Sequence, residues 1–163
     1  MTARSIVLEL TRLEAAHLAA LVTQFAELVD GAASDGDDPA IARLVPDAYD
    51  DVESAAEFRR LTEADLLDRR RDDAAVVLAT LSDTAELPDD LDDPALLEVV
   101  TIELTPSEAG SWLRTLAAVR LVLATRLGVV HADGHDAGDP RFGIYDWLGY
   151  RLDGLVTAMD GDA

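Results

Sequence analysis

Polar and apolar residues alternate in two short segments of the chain, 4–10 and 99–104, and each segment is followed by a helical pattern. Such alternation predicts strands that bury one face. The stretch from Leu8 to Ala15 recurs in similar form from Ile102 to Ala109. We predict that the two strands pair in one small sheet as an internal strand–helix repeat, because both lead into equivalent helix starts. A two-stranded sheet is marginal alone and needs helices packed on its apolar face. Chance similarity between two helix starts is the alternative.

Both strands lead into sequences that are typical of helix starts. Thr11 is followed three positions later by Glu14, and Thr105 by Glu108. At this spacing the threonine hydroxyl and the glutamate carboxylate can each accept a backbone N–H of the first turn. We therefore predict that a capping box opens the helix after each strand.

The helix after the second strand is predicted over 106–127, and its second half is apolar nearly all round. We expect this helix at the centre of the fold, since such helices are typically buried. Gly128 follows it at the position where glycine often ends a helix. A final helix is predicted from an apolar stripe with Trp147 beside it. The stripe consists of Ile144, Leu148, Leu152, Leu155 and Met159.

Short helical signals follow one another between the two repeats. Residues 39–44 predict one short helical turn. Ser54 with Glu57 and Thr62 with Asp65 are both spaced as capping boxes, so we predict two helices with a bend between them. The second of these helices is expected to bury Leu67, Ala74, Val77, Leu78 and Leu81.

Acidic stretches with glycine or proline predict flexible loops near 30–39, 82–94 and 131–140. With about five or six helices and a two-stranded sheet, the predicted fold class is α+β, mainly α. A length of 163 residues suits one hydrophobic core, so we predict a single domain over 1–163.

The charge of the chain limits its binding partners. The formal net charge is −20, and all 13 basic residues are arginine. This composition fits the codon bias of a GC-rich genome or, alternatively, adaptation to high salt. Because so negative a field repels phosphates, we expect neither direct nucleic-acid binding by the chain alone nor binding to anionic membranes.

Three further absences narrow the classes of protein. The chain has no cysteine, which excludes disulfides, thiol catalysis and thiolate metal sites. No signal-peptide pattern begins the chain, and the apolar stretch around 116–127 is interrupted by Arg120 and Arg126, too short and too charged to span a bilayer. We therefore expect a cytoplasmic protein.

Histidine and aspartate lie close together in one segment and raise the question of a metal site. They are His131, Asp133, His135, Asp136 and Asp139. Such side chains suit zinc, nickel or iron, but metal sites usually lie on rigid elements, and this segment is rich in glycine and aspartate. We interpret it as a solvated loop and predict no metal and no other cofactor.

Arginine supplies the remaining candidate contacts. A basic patch consists of Arg59, Arg60, Arg69, Arg70 and Arg71, with Asp65, Asp68, Asp72 and Asp73 interleaved. The spacings allow ion pairs across helical turns, so a solvated helix face is the first interpretation, ahead of a protein contact and of DNA.

Arg120 and Arg126 interrupt the most apolar helix, where an unpaired charge is costly. They either extend to the surface or pair with carboxylates such as Glu57, Asp146 or Asp153. An anion-binding pocket that includes Tyr145 or Tyr49 is the alternative.

Four segments, in this order, resemble one known family. They are 43–49 (RLVPDAY), 55–63 (AAEFRRLTE), 125–129 (TRLGV) and 144–148 (IYDWL). The sequence resembles the actinobacterial family called domain of unknown function two-zero-one-seven, also known as the oxidative-stress regulator (AosR-like) family, over essentially its whole length. The resemblance implies a transcription-associated regulator that works with a sigma factor.

The redox-sensing form of that role needs a pair of cysteines, which this chain lacks. The chain also lacks the sequence motifs of a nucleophile elbow, a phosphate-binding glycine loop and a dinucleotide site. We interpret it as a non-enzymatic regulatory protein that acts through protein–protein contact, with a sigma factor as the candidate partner and a homodimer left open. The alternative is a small-molecule or anion-binding domain centred on Arg60, Arg126 and Tyr145.

We predict that peroxide does not switch this protein through disulfide chemistry, because no thiol is present. Any effect of Met159 oxidation would be confined to the last helix. Thermal melting and partner affinity should be unchanged after mild peroxide treatment. A large change that a thiol reductant reverses, with the partner itself unaffected, would contradict this prediction.

Overall fold

The computed structural model describes residues 4–32, 38–45, 52–129 and 138–161, with 52–61 described by their backbone alone. Over these residues it contains two strands and five α-helices. They are β1 (Ile6–Thr11), α1 (Arg12–Gly31), α2 (Pro39–Leu44), α3 (Val52–Leu81), β2 (Val99–Leu104), α4 (Pro106–Leu127) and α5 (Gly143–Asp160), with 3-10 turns at Pro94–Leu97 and Pro140–Phe142. The predicted α+β, mainly helical class is confirmed.

The strands β1 and β2 pair with each other in an antiparallel two-stranded sheet, as the repeat predicts. Leu8 and Ile102, which correspond in the two copies of the repeat, lie directly opposite each other. On one side of this pair Ile6 faces Leu104. The two strand copies are therefore related by an approximate two-fold axis that passes through the Leu8–Ile102 pair.

The same cap chemistry opens the helix after each strand. The Thr11 hydroxyl accepts the N–H of Glu14 at 3.1 Å, and the Glu14 carboxylate accepts the N–H of Thr11 at 2.8 Å. Thr105 and Glu108 form the equivalent bonds at 3.2 and 2.8 Å. The two capping boxes predicted after the strands are confirmed, and each satisfies N–H groups that a helix start leaves without a partner.

The helix α4 lies at the centre of the fold, as predicted, and packs against α1, α2, α3 and α5. Trp112 and Leu116 are buried in the core that α4 shares with these helices. The indole of Trp112 donates to the hydroxyl of Thr80 on α3 at 2.8 Å. The helix ends at Gly128, whose φ of 74° is left-handed. No helix in the described part of the chain is long and apolar enough to cross a membrane.

Two helix predictions are wrong in detail. The helix α3 runs without a break from Val52 to Leu81, so no bend separates two helices near Thr62. The capping-box spacing there lies inside a segment without glycine or proline, and nothing local forces a helix to stop. On α5, Ile144 is 52% exposed, whereas Tyr145, Leu148 and Leu155 are buried. The buried stripe of α5 therefore does not include Ile144.

The three predicted loops are described only in part. Residues 82–93 contain turns but no helix or strand. Residues 33–37 and 130–137 lie outside the described part of the chain. The flexibility of these loops stays a prediction.

We predict that substitution by alanine has opposite effects on stability at Gly128 and at Gly154. Gly128→Ala should lower the free energy of unfolding by about 1 kcal/mol, because alanine is strained at positive φ. Gly154→Ala should raise it by about 0.5 to 1 kcal/mol, since Gly154 lies inside α5 with no atom within 4 Å of the added methyl group. Urea unfolding followed by circular dichroism measures both. Equal signs for the two variants would contradict the end of α4 at Gly128 or the position of Gly154 inside α5.

Candidate functional site

A groove of about 480 Å³ lies between β1 and α5. Val7 and Leu8 belong to its strand side, and Tyr150 and Gly154 belong to its helix side. Its floor is apolar and reaches the core residues Leu18, Trp112 and Leu116. Val7 is 49% exposed and Tyr150 is 70% exposed, so large side chains at the rim remain open to solvent.

The carboxylate of Glu14 fixes α5 beside the start of α1. One oxygen accepts the indole N–H of Trp147 at 3.0 Å and a guanidinium N–H of Arg151, while the other accepts the N–H of Thr11. Partial burial disfavours the charged carboxylate, but the hydrogen bonds from Arg151, Thr11 and Trp147 outweigh that effect and lower the pKa of Glu14 to about 2. Glu14 therefore stays ionised and keeps α5 in place at neutral pH.

Arg151 extends this cluster to the edge of β1, where it donates to the carbonyl of Glu9 at 3.1 Å. The N–H of Arg12 donates to the carbonyl of Glu98 at 2.9 Å, in register with the strand pair. Because hydrogen-bonded pairs alternate along an antiparallel ladder, the even-numbered residues of β1 bond to β2. The backbone N–H and C=O groups of Val7 and Glu9 therefore point away from β2, toward the groove.

A second cavity of about 400 Å³ lies beside the first, between α1 and α5. His17, Leu21, Ile144 and Trp147 are among the residues that line it. Trp147 lines both cavities, so the Glu14 cluster forms the wall between them.

Arg69 and Arg71 of the predicted basic patch on α3 both form ion pairs with aspartate side chains. Arg69 lies 3.1 Å from Asp65, one helical turn away. Arg71 lies 3.1 Å from Asp68 and also pairs with Asp30 of α1. These pairs agree with a solvated face in which aspartate neutralises arginine. Contact of this face with a partner stays a prediction.

The remaining arginines of this patch differ in their surroundings. Arg70 donates to the carbonyl of Arg114 at 3.5 Å. Arg114 itself holds the carboxylate of Asp73 with two hydrogen bonds of 2.9 Å, and these bonds lower the pKa of Asp73. The side chains of Arg59 and Arg60 lie outside the described part of the chain, so their predicted contacts stay predictions.

Arg126 forms a bidentate ion pair with Asp38, with hydrogen bonds of 2.9 and 2.6 Å. The two residues are 88 positions apart, so the sequence gives no indication of this partner. Asp38 also accepts the N–H of Ala40 as the N-cap of α2. The hydrogen bonds from Arg126 and Ala40 together lower the pKa of Asp38. An ion pair at Arg126 is thus present, but with Asp38 rather than a carboxylate of α5.

Arg120 lies 3.9 Å above the ring of Tyr145 and donates to its backbone carbonyl at 3.2 Å. Tyr145 is buried, and the stacking is a cation–π contact in which the electron-rich face of the ring attracts the guanidinium. Arg126 and Tyr145 therefore take part in two different contacts. An anion site that also includes Arg60 stays a prediction, and Tyr49 lies outside the described residues.

Asp139 is the one described member of the possible metal ligands in the third loop, and it pairs with Arg141 at 2.7 Å. His131, Asp133, His135 and Asp136 lie outside the described residues. Within the residues that are described, no group of three or more His, Cys, Asp or Glu side chains could hold a metal ion.

Neither the groove nor the second role of Glu14 was predicted from the sequence. Glu14 matches a capping residue, and that match accounts for its presence without a further partner. The available signal was the pair Trp147 and Arg151, which lie four positions apart and so share one helix face. An indole N–H beside a guanidinium on one face is suited to bind a carboxylate.

Comparison with known proteins places this chain in a family. The family model described as domain of unknown function (DUF2017) matches residues 1–159, so the chain belongs to that family. Relatives from Mycobacterium bovis and from two strains of Mycobacterium tuberculosis are each named oxidative stress regulator AosR. Each is 27% identical over 143 residues, which cover 76% of this chain and 59% of the relative. The chain thus spans less than two thirds of the length of these relatives. No solved structure is significantly similar to it.

We predict that Glu14→Gln lowers the free energy of unfolding at pH 7 by about 2 kcal/mol, since the variant loses the charge that Arg151 and Trp147 bind. The pKa of Glu14 is about 2 in the folded chain and 4.5 without these contacts. The stabilisation is therefore complete above pH 4.5 and is lost as the pH falls toward 2.

Urea unfolding at several pH values tests this prediction. The matched control is Glu108→Gln, because Glu108 closes the equivalent capping box of α4. The difference between wild type and Glu14→Gln should shrink on acidification much more than the difference for Glu108→Gln. The same pH dependence for both variants would show that the Arg151 and Trp147 contacts add nothing to the cap.

Proposed function

We propose that this protein is a non-enzymatic regulatory protein that acts by binding another protein in the groove between β1 and α5. The observation that carries the proposal is the groove itself, which joins the outward backbone groups of Val7 on the edge of β1 to an apolar floor. Strand edges and apolar pockets rimmed by aromatic side chains are features by which proteins bind extended segments of other proteins.

The relatives support a regulatory role, since they are named oxidative stress regulators. The family resemblance favours a transcription protein, a sigma factor, as the partner, and a cytoplasmic location goes with that partner. Because this chain has no cysteine, the proposal does not include oxidant sensing through a disulfide. Regulation would then depend on how much of each partner is present and on their affinity.

A direct binding experiment tests the proposed function. The whole chain is immobilised and exposed to purified sigma factors from the same organism, and binding is measured by surface plasmon resonance with and without peroxide. We expect saturable binding to at least one sigma factor that peroxide treatment of this chain leaves unchanged. Binding to none of them would contradict the sigma-factor assignment.

We predict that the chain alone does not shift promoter DNA in a gel at about 50 mM salt, a condition that favours contacts with phosphate. The net charge of −20 opposes DNA, and the described arginines Arg69 and Arg71 are already paired with aspartate. The shift should appear only when the partner is added. Tight binding by the chain alone would contradict this prediction. If that binding were lost when Arg69, Arg70 and Arg71 are changed to alanine, the basic patch would be the DNA contact.

A further inference from the structure

We infer that the groove receives an extended segment of the partner in which basic and apolar residues alternate, and that this segment pairs with the edge of β1 at Val7. The inference rests on the proposed function, because it names the chemistry of the partner that the groove binds. Three observations carry it: the free edge of β1, the shape of the floor and the charge of the rim.

The edge of β1 offers backbone hydrogen bonds at one end only. The carbonyl of Glu9 already accepts a bond from Arg151. The N–H and C=O of Val7 point in the same outward direction, and Val7 is half exposed. An open strand edge of this kind is a template for an added strand. The partner segment would therefore exchange its first pair of backbone bonds with Val7.

The helix side of the groove leaves room for a chain. Gly154 lies in the middle of α5, and apart from the adjoining residues and the backbone of α5 itself no atom lies within 4 Å of the position that a Cβ would occupy. Ala158 lies one turn further on and also lines the groove. Below them the floor reaches Leu18 and Trp112. An apolar side chain of the segment would contact this floor, while its neighbours in sequence would face the rim.

The negative charge at the rim of the groove favours basic residues in the partner segment, at the positions next to the apolar side chain that contacts the floor. Glu9 and Asp153 line the groove and are exposed. The cation that lines it, Arg151, is neutralised by Glu14. The whole chain adds a formal charge of −20, which repels a second copy of itself as well as an acidic segment. Charge complementarity therefore favours a segment with arginine or lysine at alternate positions.

Three synthetic peptides separate these contributions when they are titrated against the full chain by fluorescence anisotropy. The first alternates arginine with valine and leucine, the second has glutamate in place of each arginine, and the third is the first with its pairing amides N-methylated. We expect the first to bind saturably and the second not to bind. The third should bind about tenfold more weakly, because it has lost backbone donors.

Two variants on one helix localise the binding. Gly154→Phe fills the groove and should weaken the binding of the arginine peptide by at least about tenfold, because one buried apolar contact is lost. Val156→Phe is the matched control, because Val156 is 41% exposed on the same helix and does not line the groove. A double variant, Glu9→Arg with Asp153→Arg, should reverse the preference in favour of the glutamate peptide. This double variant tests whether the charge at the rim sets the preference for a basic peptide, even if Gly154→Phe does not fold.

The results decide between the inference and its alternatives. Equal affinity for the N-methylated peptide, equal losses in Gly154→Phe and Val156→Phe, or no saturable binding of the arginine peptide would overturn it. A sigma factor that binds wild type and Gly154→Phe equally would also overturn the groove as the binding site, but would leave standing a regulatory role that acts through protein–protein contact. Peptide binding as expected, with no sigma factor bound, would support the groove and contradict the sigma-factor assignment.

Discussion

The ionised carboxylate of Glu14 is the contact on which the arrangement of the groove depends. It closes the cap of α1 through Thr11 and holds α5 through Trp147 and Arg151. Arg151 then reaches the carbonyl of Glu9 on β1, so one cluster sets the distance between the strand edge and the helix. If Glu14 lost its charge, the ion pair that holds Arg151 of α5 beside the start of α1 would weaken.

A chain with 33 acidic and 13 basic residues has few cations, and several of the described arginines connect different helices. Arg126 of α4 holds Asp38 at the start of α2, and Arg114 of α4 holds Asp73 of α3. Exposed ion pairs contribute little each, but in so acidic a chain they also reduce repulsion between helices. The unpaired acidic residues that remain give the surface the sign that favours a basic partner.

The proposed binding in the groove does not depend on redox chemistry. The groove is built from a strand edge, a helix and an ion-pair cluster, and none of these needs a thiol. The proposal is therefore compatible with a chain that has no cysteine. Under this proposal the abundance of the partner, rather than a disulfide switch, would set how much of the groove is occupied.

The two strands, the capping boxes after them and the end of α4 at Gly128 could be predicted from the amino-acid sequence, because each depends on hydrogen bonds and backbone preferences within a few residues. The continuity of α3 could not, since local signals there allow both a break and a helix. The pairing of Arg126 with Asp38, and of Glu14 with Trp147, which lies 133 positions away, became evident only from the packing of the helices. The groove depends on these distant pairs, and which of 33 carboxylates meets a given arginine is set by how the helices pack.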